Sequence, residues 1–393
     1  MSHLYLLGVA TLTLTSAGFA GSDTNADLQA RLEAAEARIS ELSAATNANW
    51  LNDARADEIR GLVQDVLADA DTRANLQGDG ATAGYNGGFT VGSADGNWSM
   101  TINGLLQSRW DYSDSDAAGT DADWGFSSNR SWLNFSGTVA GDYGYDVRMD
   151  MNGSGSDEWA WGSMGLNNGW SLAMGDMVVA ADREALIGDG NQMALDRNNG
   201  RDVRTGAALH YASDDTRAWV QMFNNGDGEG TANANAYSWN VRVEMMTEGS
   251  WGQFDNFSSG SGGAAGTLWG FTYSTDDIGD SGSDNDGDSS WNVDAQMQWG
   301  GSAMYISYGD SSDDSDAAGD DNSLQVMYSM DLDNDWELYA RMTETDLVDG
   351  DVLAIGLNNY LAGNNAKWTT QVSWDDTSGD EVTNISSQLQ LMF

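Results

Sequence analysis

The chain has 393 residues, with 61 Asp and Glu against 16 Lys and Arg, for a formal net charge of −45 at pH 7. That much acid excludes nonspecific nucleic-acid binding, because phosphates would repel it, and 17 Trp with 13 Tyr exclude simple disorder. The absence of Cys removes disulfides, thiolate metal sites and cysteine nucleophiles together.

Residues 1–20 have the form of a secretory signal peptide. Leu4 to Ala20 is short and apolar and ends in small residues, with Gly18 and Ala20 at cleavage-like spacing. The leading "MSH" departs from the pattern in having no Lys or Arg. No later run of 18 apolar residues is long enough for a transmembrane helix. Residues 21–76 change to a helical period. Leu28, Leu32, Ala35, Ile39 and Leu42 are spaced 4, 3, 4, 3, an a/d seam for a coiled coil about two heptads long. A second amphipathic stretch follows, with Ile59, Leu62, Val63, Val66 and Leu67 on one stripe. Glycine-rich 77–97 reads as a linker.

From Trp98 to Phe393 the period is two, which predicts strands. Trp98, Met100, Ile102, Leu106, Trp110 and Tyr112 share one face, and Gln107, Arg109 and Asp111 the other, with Leu105 out of place. Tyr143, Tyr145, Val147, Met149 and Met151 alternate with Gly144, Asp146, Arg148 and Asp150. The chain closes on Ile385, Leu389, Leu391 and Phe393 against Ser386, Gln388 and Gln390, with Met392 breaking the polar face. A soluble sandwich also alternates. Here, however, ionised groups sit in mid-strand, and Trp98 and Trp110, Trp291 and Trp299, and Trp368 and Trp374 bracket their strands. Aromatic girdles of that spacing predict a lipid-facing barrel wall. Eight long and seven short connections predict an all-β transmembrane barrel of about 16 antiparallel strands. The connection near 249–266 is long for a turn, and a strand at "WGQFDNF" would spoil the even count. With both termini periplasmic, the long loops face outward. Three of them (113–128, 276–290 and 310–322) hold sixteen Asp and no basic residue.

Several stretches resemble the phosphate-selective porin O/P family of outer-membrane trimers: "NRSWLNFSGTVAGDYGYDVRMDM", "DREALIGDGNQMALDRNNGRDV", "MFNNGDG" and "IGLNNYLAGNNAKWTTQVSW". The likeness runs from Trp98 to Phe393, and the helical prefix resembles the short coiled-coil extension of some such porins, notably from planctomycete-like bacteria. It implies a water-filled channel for passive diffusion of small hydrophilic solutes or ions, in a homotrimer set in outer-membrane lipid. It also implies that terminal Phe393, with Leu391 and Leu389, is the signal read by the barrel assembly machinery. The family's phosphate selectivity depends on pore-lining Arg and Lys, whereas this chain has one lysine and ten arginines after Gly78. Substrate therefore does not follow from the family name.

Four of those arginines, Arg183, Arg197, Arg201 and Arg204, fall within 22 residues of one long loop. They would either line a constriction, with that third outer loop folded into the lumen, or bind neighbouring Asp182, Glu184, Asp196 and Asp202 and hold the loop in place. Arg109, Arg130, Arg148, Arg242 and Arg341 would point inward, together with Asp146 and Asp150, since an arginine facing lipid at mid-bilayer costs about 2–4 kcal/mol. "DNDGD" at Asp284 to Asp288 lacks the Gly and Glu of a calcium loop, so a solvated acidic surface is the expectation, with no metal and no cofactor. Two His (His3 and His210) give little basis for an enzyme. The rival readings are a structural protein that tethers envelope layers, reaching the cell wall through the helical stalk, and a soluble acidic β-protein.

Overall fold

The computed structural model describes residues 25–50 and 81–393, except 86, 118–120, 153–158, 199, 225–236, 279–288, 313–320, 334, 346–349 and 378. The signal peptide and the second amphipathic stretch lie outside them. The chain divides into two units, 1–78 and 79–393.

In the first unit, helix α1 runs Asn25–Trp50. Its Ala, Leu, Glu and Arg are strong helix formers. Side chains are described over 29–41, and all are exposed, including Leu32 at 60% and Ile39 at 65%. Leu28 and Leu42 lie in the helix beyond those described side chains. The seam expected from Leu32, Ala35 and Ile39 is thus exposed on the single chain.

The second unit is a closed barrel. Its strands are β1 (Ala81–Tyr85), β2 (Phe89–Ser93), β3 (Ser99–Ser115), β4 (Asp123–Val139), β5 (Tyr143–Asp150), β6 (Trp159–Gly165), β7 (Trp170–Val178), β8 (Val203–Ala212), β9 (Thr216–Asn224), β10 (Tyr237–Glu248), β11 (Gly266–Ile278), β12 (Ser289–Trp299), β13 (Ser302–Ser312), β14 (Asp321–Asp333), β15 (Trp336–Thr345), β16 (Gly350–Tyr360), β17 (Ala366–Asp375) and β18 (Val382–Met392). From β3 onward each strand pairs antiparallel with the next, and β18 pairs with β3 from Val382↔Ser115 to Met392↔Leu105. The sixteen strands β3–β18 therefore leave no free edge. Closure matters in lipid, where an unpaired backbone group costs several kcal/mol.

The expected linker 77–97 is in part a hairpin. β1 pairs with β2, and β2 pairs with the first residues of β3, Phe89↔Ile102 to Gly92↔Ser99. The reason is a length mismatch. β3 extends below the end of β18, where Phe393 exchanges backbone hydrogen bonds with Gly104 (2.9 and 3.1 Å), and β2 takes the pairing positions beyond. The long turn also resolves without a seventeenth barrel strand. Trp251–Phe254 is a single helical turn, and Phe254 and Phe257 are buried at 0% and 1%. Two predicted turns use left-handed backbone: Asn168 and Gly169 (φ 61° and 81°), and Gly300 and Gly301 (φ 54° and 95°). Both match the doubly positive φ of a type I′ hairpin.

The two faces of the wall differ in character, apart from a few apolar residues on the inner one such as Tyr305 and Met327. Outward residues include Trp239, Val241, Val243 and Met245 on β10, Trp269, Phe271 and Tyr273 on β11, and Leu353 and Ile355 on β16, all exposed. Inward residues include Gln107, Arg109, Arg148, Arg242, Glu244, Asp294, Gln296, Gln298 and Gln388, all buried. Among the described residues no helix is long and apolar enough to cross a membrane.

Candidate functional site

The polar inner face is buried because one connection folds against it. Residues 179–202, between β7 and β8, form the third long loop. Val179, Ala180, Asp182, Arg183, Glu184, Ala185, Ile187, Asp189 and Gln192 within it are each at most 7% exposed. Helix α2 (Arg183–Leu186) begins it, and Asp182 caps that helix by accepting from the Ala185 N–H (2.7 Å). A 3₁₀ turn follows at Asp189–Asn191.

The barrel wall grips this loop on most sides. Arg109 donates to Asp196 (2.9 and 3.1 Å) and to the Leu195 carbonyl (3.2 Å). Asn358 donates to the Met193 carbonyl (3.0 Å), Lys367 to that of Gln192 (2.8 Å), and Gln390 to that of Gly190 (2.9 Å). Arg341 donates to the Asp196 carbonyl. An irregular loop in a lumen leaves backbone carbonyls without strand partners, and these long inward side chains supply the donors. Apolar contacts complete the seat: Ile187, Met193 and Ala194 pack with Ala303, Tyr305, Met327 and Tyr339 of the inner wall. Gly356 makes room for Tyr339, since a Cβ there would fall 2.2 Å from its ring.

The loop's charge centre is Asp189. Its carboxylate, fully buried, binds Arg148 (2.7 Å), Arg201 (3.3 Å), Arg197 and more distantly Arg130 (3.8 Å). The Arg148 guanidinium lies between the rings of Trp132 and Trp159, 3.8 and 3.7 Å from their centroids. Arg197 and Arg201 also donate to the Ile187 carbonyl (both 2.9 Å), so they close the loop on itself. Burial raises the Asp189 carboxyl, but Arg201, Arg197, Arg148 and Arg130 outweigh it and hold the group well below the ordinary carboxylate range. Glu184 shows the reverse balance. Burial and neighbouring Asp182 push it up to about 7, against Arg341, the Asn198 N–H and Arg197.

A second charged cluster lies on β10–β12. Arg242, 0% exposed, donates to both oxygens of Asp294 (2.7 and 3.0 Å) and to Glu244 (2.9 Å). The guanidinium crosses Gly270, where a Cβ would stand 2.3 Å from its Nη2. Arg183 joins this side and not the Asp189 cluster, through Glu244 (3.4 Å) and the Gln296 side chain (3.2 Å). It also donates to the carbonyl of Phe254, so the long turn after β10 and the loop after β7 meet inside the barrel.

The expected site residues thus divide. Arg148, Arg197 and Arg201 come together, Arg109 holds the same loop at Asp196, and Arg183 and Arg242 form the opposite cluster. Arg204 stands apart at the start of β8, half-exposed on Asp202 (2.6 Å). Asp146 accepts from Trp159 and from Asn134 (3.4 Å), and Asp150 accepts from the Asn152 N–H (2.7 Å) at the end of β5. Of the four acids expected to bind loop arginines, Asp202 takes Arg204 and Asp196 takes Arg109 from the wall. Asp182 and Glu184 accept backbone N–H groups. Asp189, Glu244 and Asp294, which do most of the binding, carried no signal beyond being acids among many.

No protein-family model and no curated protein matches this sequence. Solved structures do match. An anion-selective porin from Comamonas acidovorans matches at TM-score 0.53 and 14% identity, over 75% of this chain and 100% of that one. A triple mutant of the Rhodopseudomonas blastica porin matches at TM-score 0.50 and 14% identity, over 74% and 100%. The fold is that of the porins. At this identity the likeness extends to the barrel architecture and no further.

Proposed function

We propose that the protein is an outer-membrane porin, a water-filled channel through which small hydrophilic solutes or ions diffuse passively. The observation that carries this reading is a folded loop seated inside a closed sixteen-stranded barrel with a polar inner and apolar outer face. A barrel that served only as an anchor would not need a charged, polar inner face. On this reading the buried Arg148, Arg197, Arg201, Arg109 and Arg242 set the field around the narrowest part of the path, with Asp146 and Asp150 toward its mouth. The barrel would assemble as a homotrimer, with Phe393, Leu391 and Leu389 as its insertion signal. The exposed α1 seam of Leu32, Ala35 and Ile39, extended in sequence by Leu28 and Leu42, would add a three-stranded periplasmic stalk. The phosphate preference of the resembled family is not part of the proposal, because acids and arginines interleave throughout this lumen.

Reconstitution into planar bilayers tests it: stepwise conductance is expected from purified protein, and its absence from correctly folded barrels would show a closed tether. Replacing Leu32 and Ile39 with Asp should loosen the stalk and leave the trimer intact, read by mass of the detergent-solubilised assembly.

A further inference from the structure

The connection between β10 and β11 is unlike the others at its end of the barrel. There β4–β5, β6–β7, β8–β9, β12–β13, β14–β15 and β16–β17 are joined by short turns, the longest being 361–365, whereas 249–265 lies between β10 and β11. Backbone of that length leaves carbonyls without strand partners, and here they are satisfied inside the barrel. Gln298 donates to the carbonyls of Asn256 (2.6 Å), Phe257 (3.2 Å) and Ser258 (3.3 Å), and Gln296 to that of Asn256 (2.7 Å). The Ser258 hydroxyl donates to Glu337 (2.9 Å). Phe257 packs on Tyr305, with ring centroids 5.0 Å apart.

This segment meets the β7–β8 loop. The Phe257 N–H donates to the Asn191 carbonyl (3.4 Å), the Asn191 amide to the Asp255 carbonyl (3.0 Å), and Arg183 to the Phe254 carbonyl. The two connections enter from opposite ends of the barrel, and both are attached to the same side of its wall. Inward Gln298, Tyr305, Met327, Tyr339, Asn358 and Thr369 of β12–β17 are each at most 2% exposed. On the other side, inward Asp146, Trp161, Ser163, Ser171 and His210 of β5–β8 stay half-exposed. Small residues leave room there: Trp161 pairs with Gly175, Gly175 with Gly206, and Ser163 with Ala173.

We infer that residues 250–259 are a second constriction element, and that solutes pass it on the opposite side, along the inner face of β5–β8, past Asp146, Trp161, Ser171 and His210. The inference rests on the porin reading and assigns size selection to a segment outside the long loop. The loop narrows the lumen from one end and this segment continues the obstruction toward the other. The open cross-section is then a lateral passage and not the full bore of the barrel.

The test uses the full chain in planar bilayers, with polyethylene glycols of graded size added to find the largest that enters. Glu248 pairs with Thr267, so deleting 250–265 leaves Gly249 and Gly266 as a two-residue Gly-Gly hairpin turn. The deletion should raise both the single-channel conductance and the limiting polymer size. Ser171→Trp, on the passage side, should lower both, and a disturbed fold cannot imitate changes of opposite sign. Should the deleted chain not fold, Gln298→Ala decides: it frees three carbonyls of the segment and should give larger, noisier openings than the wild type. Wild-type conductance and size limit in the folded deletion variant, in Gln298→Ala or in Ser171→Trp would each overturn the inference. A conducting wild type with unaffected variants removes only the second constriction, whereas a silent wild-type barrel removes the porin reading and this inference with it.

Discussion

Asp189 is the residue on which the loop's charge arrangement depends. Four guanidiniums converge on one buried carboxylate, and removing one partner of a buried ion pair costs about 3–5 kcal/mol. Asp189→Asn should therefore release the loop, lowering the thermal unfolding midpoint and raising open-channel noise, and should move selectivity toward anions. Mild acid should not reproduce this. A carboxylate depressed below its unfolded value stabilises the fold above that unfolded value, and the contribution is lost only as pH falls through the depressed one. Asp189 therefore holds the loop at any pH from neutrality down to about 4. Glu184 responds in the opposite sense. Raised to about 7, it stabilises fully when protonated, below its unfolded value near 4.5, and that contribution is lost as pH rises through 7. The same titration adds a negative charge to the lumen. Cation preference should therefore climb between about pH 6 and 8, and Glu184→Gln should flatten the climb. Reversal potentials measured in a pH series decide it; a wild-type curve matching the Gln variant's would place Glu184 away from the ion path.

At the scale of elements, what was legible followed periodicity and what was not followed the filling of the lumen. Period-two alternation located the sixteen strands, because successive side chains point to opposite faces and the outer face is mostly apolar. The I′ turns at Asn168–Gly169 and Gly300–Gly301 were legible because few residues adopt positive φ. Two residues that break the alternation in the sequence, Leu105 and Met392, are cross-strand partners on the lumen side. A Cβ on Gly190 of the loop would touch Met392 Sδ at 2.8 Å, so that break in the polar face marks loop contact. Tyr305, Met327 and Tyr339 are inward apolar residues for the same reason. No local pattern announces such contacts, since they depend on which distant segment enters the barrel. The β1–β2 hairpin escaped because its composition is that of a linker, and its pairing answers an unpaired length of β3. The closing strand carries the prediction at this scale. Phe393 exchanges two backbone bonds with Gly104, and its ring covers that glycine, where a Cβ would stand 2.7 Å from it. Deleting Phe393 should lower outer-membrane insertion and leave export to the periplasm intact, read by fractionation. Normal insertion of the deletion variant would assign the terminal strand a packing role alone.

For the whole molecule, two fields of opposite sign act on a permeating ion. The three sequence segments that hold sixteen Asp and no basic residue cover the connections between β3 and β4, β11 and β12, and β13 and β14 together with the strand ends beside them, where Asp114, Asp123, Asp276, Asp277, Asp310 and Asp321 lie. Charges at a water-filled mouth are screened beyond about 8 Å at 0.15 M salt. The arginines around Asp189 lie inside the barrel, where low-dielectric walls focus their field, and salt screens them less. Cation preference should therefore be strongest in dilute salt and fall toward neutrality, or to mild anion preference, as salt rises. Changing Arg197 and Arg201 together to Ser should strengthen cation preference at every concentration. Those two side chains are 4% and 3% exposed, so their influence on an ion is through the field and not through contact. They also hold the Ile187 carbonyl, so the double variant should show noisier openings than the wild type. Reversal potentials across a salt gradient separate the two effects, since loosening changes noise and charge changes the sign and size of the potential. If the double variant is noisier yet keeps the wild-type potential at every salt concentration, the arginines serve only to brace the loop, and selectivity is set at the acidic mouth.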